Sequence, residues 1–181
     1  RKLPALIRFP DIWPAFERAL TQRGWVPFRP CYVMHRQLEA GAPASPALQA
    51  VSRAEFMDFQ VAAQAFSSAD RAVFERMFDL MHVPAHWLAL RGDEGWIGAA
   101  LLTADSGGFG LQKVVVPPAL RGKGLGRTLM NEVLRWAAER GRFMWLQVQQ
   151  TNTPAVALYQ SLGFEVAYNY RYWAPPDEAG N

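Results

Sequence analysis

Residues 114–126 read V-V-V-P-P-A-L-R-G-K-G-L-G, and the fold turns on that stretch. Val114, Val115 and Val116 are β-branched and favour extended backbone, whereas Pro117 and Pro118 can continue neither a ladder nor a helix interior. A strand over 109–116 is therefore expected to stop abruptly. Gly122, Gly124 and Gly126 then alternate with Lys123 and Leu125. From Leu125 the apolar positions Leu125, Leu129, Val133 and Ala137 fall four apart, with Met130 and Leu134 beside them, which predicts a helix over 125–140 with one buried face, ended by Gly141. The order is strand, basic glycine loop, helix.

Such a junction presents unpaired backbone N–H groups at the helix start. Glycines let a ligand approach them, and the N-terminal end of the helix dipole favours an anion. Arg121, Lys123 and Arg127 add cations, so a polyphosphate is the natural guest; the alternative is a surface turn whose glycines serve tight geometry alone. The phosphate-binding pattern G-x-x-x-x-G-K-[ST] is absent, since Gly124 follows Lys123. The dinucleotide pattern needs a glycine turn directly at the strand end and an acid about 20 residues later, but two prolines intervene and residues 142–149 hold no carboxylate.

Composition narrows the class. With 181 residues, 50% hydrophobic and 13% aromatic, the chain can bury a core as one globular domain with an appendage. No apolar run reaches the roughly 20 residues of a membrane span, and the start R-K-L-P-A-L-I-R is too short in its apolar part for a secretory signal. The chain opens on Arg1, so its genuine beginning is expected further upstream. A single cysteine, Cys31, excludes an internal disulfide and suits a reducing cytoplasm; between Pro30 and Tyr32 in an extended run, it is not read as a nucleophile. His35, His82 and His86 form no metal-binding spacing with it, so no metal is expected. A net charge of +3, with basic residues scattered outside the loop, does not point to nucleic acid. A homodimer is left open.

Along the chain, residues 11–23 read as a helix with Asp11 as N-cap and Gly24 as stop, and residues 25–38 as extended. Residues 14–28 echo residues 154–168: each reads helix, glycine, aromatic, strand. The echo is either the end of a degenerate first copy of the same fold, occupying residues 1–40, or coincidence in a common arrangement. The stretch G-A-P-A-S-P, 41–46, is the linker, and the main domain spans 47–174. Within it, 48–51 reads as a strand, 54–66 and 69–81 as helices, and 87–90 and 96–102 as a hairpin across G-D-E-G. Residues 143–148 read as a strand with Phe143, Trp145 and Gln147 on one face and Met144, Leu146 and Val148 on the other, residues 153–162 as a helix stopped by Gly163, and residues 164–173 as an alternating strand. Residues 175–181 read as a loose tail.

Arg121, Gly124 and Gly126 match R-x-x-G-x-G. Asn152, Ala155, Leu158, Tyr159, Gly163 and Phe164 match N-x-x-A-x-x-L-Y-x-x-x-G-F. The two patterns, in this order with one amphipathic helix and one strand between them, resemble the acyl-CoA motifs of the GCN5-related N-acetyltransferase (GNAT) superfamily over about residues 47–173. The resemblance implies an α/β fold with a mixed, mostly antiparallel sheet flanked by helices, and an acetyl-CoA-dependent N-acetyltransferase acting on a primary amine. The alternative is an acyl-CoA-binding sensor or scaffold without catalysis. It assigns backbone N–H groups of Arg121, Gly122, Lys123, Gly124, Leu125, Gly126 and Arg127 to the pyrophosphate. Main-chain groups of Val114 and Val116 would meet the pantetheine arm, Asn152 and Ala155 would lie beside that arm, and Tyr159 near the sulfur.

Acyl transfer from a thioester expels a thiolate, which a nearby phenol can protonate or hydrogen-bond, so Tyr159 is the catalytic candidate. No base is visible: Gln112 and Lys113 precede V-V-V, and Glu165, Asp105, His82 or a water relay remain. The acceptor is a small amine, amino acid or peptide N-terminus rather than a polycation, since no large acidic patch stands in the sequence. The stripe Tyr168, Tyr170 and Tyr172, with Trp173 opposite, either floors the acceptor pocket or packs as sheet surface.

Overall fold

The computed structural model describes residues 6–64 and 66–176. Its elements run β1 (Ile7–Pro10), α1 (Pro14–Gln22), β2 (Val26–Gln37), β3 (Leu48–Ala50), α2 (Arg53–Gln64), α3 (Ser68–Asp79), β4 (Ala85–Gly92), β5 (Gly95–Asp105), β6 (Gly108–Val115), α4 (Leu125–Ala138), β7 (Phe143–Gln149), α5 (Thr153–Ser161) and β8 (Glu165–Ala174). The α/β class holds, as does the order of elements expected from residue 11 onward; strand β1 is not predicted by the sequence. The described residues fall into two compact units, one drawn from the segments Arg1–Arg36 and Leu146–Asn181, the other from Gln37–Trp145.

In the unit of residues 37–145 the strands follow the order β6-β5-β4-β3, each neighbouring pair antiparallel. The hairpin across G-D-E-G closes on Gly92 and Gly95. Strand β5 is buried on both faces. Ala99 and Leu101 pack with Phe56, Met57 and Ala63 of α2, so by the period of two, Gly98, Ala100 and Leu102 face the other way, toward α4. That helix buries Leu129, Met130, Val133, Leu134 and Ala137, the stripe its spacing predicts, and packs on β3, β5 and β6. Full burial of Leu129, Met130 and Val133 contributes roughly 1.5–3 kcal/mol each. Close approach explains Gly98: a Cβ there would stand 3.0 Å from Leu129 Cδ2 and 3.2 Å from the Val115 carbonyl oxygen.

Helix α4 also buries Glu132, which the sequence reading left aside. Its carboxylate accepts from Ser45 N–H at 2.6 Å and from Arg135 Nη1 at 2.6 Å. The G-A-P-A-S-P stretch is thereby held against this helix.

In the other unit the order is β1-β8-β2-β7, with β8 antiparallel to both β1 and β2. Phe9, Leu20 and Trp173 form one small core, and Cys31, Val33 and Tyr170 another. The expected cap at Asp11 is corrected. Helix α1 starts at Pro14 with Trp13 at its N-cap and no side-chain cap bond, because proline is pre-set for the first helical position. Asp11 instead accepts a bidentate pair from Arg171, at 3.0 Å from Nε and 2.6 Å from Nη2.

The sequence echo has a structural counterpart. Both α1 and α5 end on a glycine in the left-handed region, Gly24 at φ 76° and Gly163 at φ 80°. In both, the next aromatic residue bonds back five positions, from Trp25 N–H to Leu20 C=O at 3.1 Å and from Phe164 N–H to Tyr159 C=O at 3.0 Å. Residues 177–181 of the expected tail, and residues 1–5, lie outside the described residues.

Candidate active site

Strand β6 ends at Val115, one residue before the expected limit. Pro117 and Pro118 do end the ladder, but Pro118–Leu120 forms a single 3₁₀ turn, since proline at a first helical position gives up only an N–H that would be unpaired there. Arg121 then folds back, its Nε donating to the Val116 carbonyl at 3.0 Å. Gly122 and Gly124 both take the left-handed region, at φ 76° and 78°, and a Cβ on either would meet nothing within 4 Å. Backbone conformation rather than crowding therefore requires glycine, and the space over the loop is open.

Gly124 is the N-cap of α4. Its carbonyl accepts from Arg127 and Thr128 N–H at 3.0 and 3.1 Å. The amides at the start of a helix have no carbonyl behind them. Here they face open space at the positive end of a 14-residue helix, with Lys123 and Arg127 in the same turn. This arrangement can hold a di-anion such as a pyrophosphate.

Upstream of the loop, β6 carries a bulge that the sequence reading missed. The register with β5 slips between Ala99↔Val115 and Leu101↔Gln112, and Lys113, a non-glycine residue, sits at φ 49°. Strain of this kind persists only where neighbours enforce it. Gln60 of α2, 2% exposed, donates from Nε2 to the Lys113 carbonyl at 2.7 Å. The Lys113 ammonium lies 3.5 Å from the centre of the Phe74 ring on α3, and burial holds its pKa below the usual lysine range. One signal existed: Gln60 interrupts the apolar face of α2 at helical spacing from Phe56 and Ala63. Gln112, the neighbouring residue, donates from Nε2 to Thr103 Oγ1 at 3.2 Å.

The second motif lies on α5. Asn152 is its N-cap and accepts from Ala155 N–H at 3.4 Å, so the backbone amide of Ala155 is engaged by the motif's own asparagine. Tyr159 is the buried residue of this helix, 8% exposed, its ring edge-on to Phe164 at 5.8 Å. Burial pushes its phenol up to about 12.

The structure thus gathers residues 121–127 at the head of α4, and Asn152, Ala155 and Tyr159 along α5. Of the base candidates, Asp105 pairs with Gly108 at the hairpin end of β6. Four residues separate Gly108 from Gln112, so Asp105 stands about 13 Å of strand from the bulge. His82 is exposed, and Glu165, also exposed, pairs across the ladder with His35. The tyrosine stripe divides: Tyr168 is 43% exposed, whereas Tyr170 is 5% exposed and donates to Gln147 Oε1 at 3.0 Å. Burial raises the Tyr170 phenol too, with Cys31 and Tyr172 adding to the shift.

Comparison with known proteins agrees with these motifs. The model of the acetyltransferase (GNAT) family matches residues 49–164. Streptothricin acetyltransferase of Streptomyces lavendulae is 36% identical over 74 residues, 40% of this chain and 39% of that protein. N-alpha-acetyltransferase RimI of Mycobacterium tuberculosis is 39% identical over 66 residues, 36% of this chain and 40% of that protein. The chain thus spans about two fifths of the length of these curated relatives. Among solved structures, a GCN5-related N-acetyltransferase from Sphaerobacter thermophilus superposes with a TM-score of 0.69 at 22% identity, over 94% of this chain and 59% of that one. With the two sequence motifs folded as strand–loop–helix and capped helix, and the family model covering more than half of its length, the chain belongs to the acetyltransferase (GNAT) family.

Proposed function

We propose that the chain transfers an acetyl group from acetyl-CoA to the primary amine of a small molecule, an amino acid or a peptide N-terminus, by direct attack while both substrates are bound. The observation that carries this is the loop at residues 121–127: two left-handed glycines with open space above them, leading into the amide-rich start of α4. It fits the pyrophosphate of CoA, with Val114 and Val116 beside the pantetheine arm. In the reaction the amine nitrogen bonds to the thioester carbon, the carbon–sulfur bond breaks with its electron pair going to sulfur, and nitrogen loses a proton to a water molecule.

Tyr159 faces the sulfur as a hydrogen-bond donor in this reading. Burial holds the phenol well above its usual range, so it stays protonated at neutral pH and is available to donate to the developing thiolate.

A non-catalytic acyl-CoA sensor is the second reading, favoured by one observation: β6 offers Gln112 and Lys113 where a carboxylate base would stand. Steady thiol release from acetyl-CoA, measured across a panel of amino acids, small amines and short peptides, separates the two. Release with any acceptor supports transfer; CoA-dependent thermal stabilisation without release supports the sensor. An absence of stabilisation at CoA well above micromolar concentration refutes both.

A further inference from the structure

The bulge in β6 sets which way the main chain turns as it enters the glycine loop. Between the pairs Ala99↔Val115 and Leu101↔Gln112, the two residues Lys113 and Val114 oppose the single Ala100. A strand alternates with a period of two, so one extra residue exchanges the orientation of every residue beyond it. Without the bulge Val114 would stand opposite Ala99 in place of Val115, and Val116 would shift by one position with them.

What holds the bulge is buried on α2. Gln60 is 2% exposed and shares its helix face with Phe56, Met57 and Ala63, which pack with Ala99, Leu101 and Val115. An amide in such surroundings is costly unless both of its ends are paired. Both are: Nε2 donates to the Lys113 carbonyl at 2.7 Å, and Oε1 accepts from Gln64 Nε2 one turn further on. The tip of the side chain is thereby fixed, with its donor on the residue of β6 that takes the left-handed region, Lys113 at φ 49°. A leucine at position 60 would leave that carbonyl orphaned, and loss of the bulge would be the strand's readiest escape.

We propose that Gln60 is a positioning residue of the donor site: through the Lys113 carbonyl it keeps the one-residue bulge, and with it the orientation of Val114 and Val116. The inference rests on the reading that sets these two beside the pantetheine arm of CoA. Gln60 acts through Lys113 and needs no contact with substrate.

The test is a double-mutant cycle. Gln60→Met keeps the length of the side chain and removes its amide, and Lys113→Gly takes the left-handed conformation without strain. CoA affinity is measured by calorimetry on the full chain, and amide hydrogen exchange at residue resolution without CoA. Expected in Gln60→Met are CoA binding weaker by about tenfold and exchange faster by about tenfold at Gln112 and Val115, with Leu88 and Ala89 of β4 as protected as before. On the Lys113→Gly background the same substitution should weaken CoA by less than about threefold, because the strain that Gln60 opposes is gone. A change of about twofold or less in Gln60→Met alone, or an equal loss on both backgrounds, overturns the proposal and leaves Gln60 as core packing. Failure of Gln60→Met to fold on both backgrounds does the same, whereas folding only together with Lys113→Gly supports it. Absence of CoA binding by the wild-type chain refutes the reading of the donor site itself, and the inference with it; wild-type binding with an unaltered Gln60→Met refutes the inference alone.

Discussion

Replacing Tyr159 by Phe removes one oxygen from a buried ring and leaves its packing in place. The ring contact with Phe164 at 5.8 Å is edge-on and does not use the hydroxyl, and the residue is 8% exposed, so the folded state loses no apolar contact. A change in stability within about 1 kcal/mol follows, or about 2–4 °C in Tm for a chain of this length. The kinetic effect is expected to be far larger. A single donor aimed at developing charge is worth about 10²–10³ in kcat. In the proposed role the donor meets the sulfur only as the carbon–sulfur bond breaks, so the loss should fall on kcat, with acetyl-CoA affinity nearly unchanged. The phenol at about 12 adds a second expectation: the wild-type pH–rate profile shows no fall from Tyr159 ionisation between about pH 7 and 10. The assay is thiol release at saturating acceptor, with CoA affinity from calorimetry. Unchanged kcat in Tyr159→Phe, or a hundredfold loss carried entirely by acetyl-CoA affinity, refutes the role.

Two further perturbations follow from the geometry. Gly124→Ala places a Cβ in open space but at φ 78°, so the cost is backbone strain of about 1–2 kcal/mol; Tm should fall by about 2–8 °C and CoA should bind more weakly, whereas an unchanged Tm would contradict the left-handed cap. The His86 ring lies tilted against Trp136 at 4.9 Å and edge-on to Phe109 at 5.8 Å. Burial first, then the charge of Arg140, holds its pKa below 6.5 in the fold. The neutral ring is thus favoured when folded, so its contribution is fully present above about pH 6.5 and is lost as pH falls through the lower folded value. Thermal melts should show Tm dropping below about pH 6.5, and His86→Phe should flatten that drop; equal pH dependence in both proteins would dismiss the ring as its source.

Local chemistry made much of this fold readable. The prolines at 117 and 118, the glycines at 122 and 124 and the four-residue spacing from Leu125 each act within a few positions, and the loop and α4 follow them closely. Where the reading failed, distant partners decide. Asp11 resembles an N-cap in every local respect, yet Arg171, 160 residues later, claims its carboxylate. Glu132 looks like a solvated charge on a helix, yet the amide of Ser45 buries it. The bulge at Lys113 leaves no trace in K-V-V-V, because Gln60, 53 residues upstream, holds its carbonyl. In each case a polar group is satisfied across the chain, which no periodicity encodes.

The same distinction explains the echo between residues 14–28 and 154–168. A helix that must turn into a strand needs a left-handed residue after its last turn and gains from a back-bonded apolar residue beyond it. Gly24–Trp25 and Gly163–Phe164 meet that need with the same hydrogen bond, so the recurrence follows from backbone chemistry whatever its ancestry. What differs is the start of each helix. On α5 the side chain of Asn152 accepts from Ala155 N–H, which fixes the helix that presents Tyr159. On α1 no side chain caps the start, and its acid, Glu17, stands 3.7 Å from Arg171 of β8 instead. The likeness is thus confined to the helix ends, where backbone chemistry decides, and is absent at the starts, where side chains do.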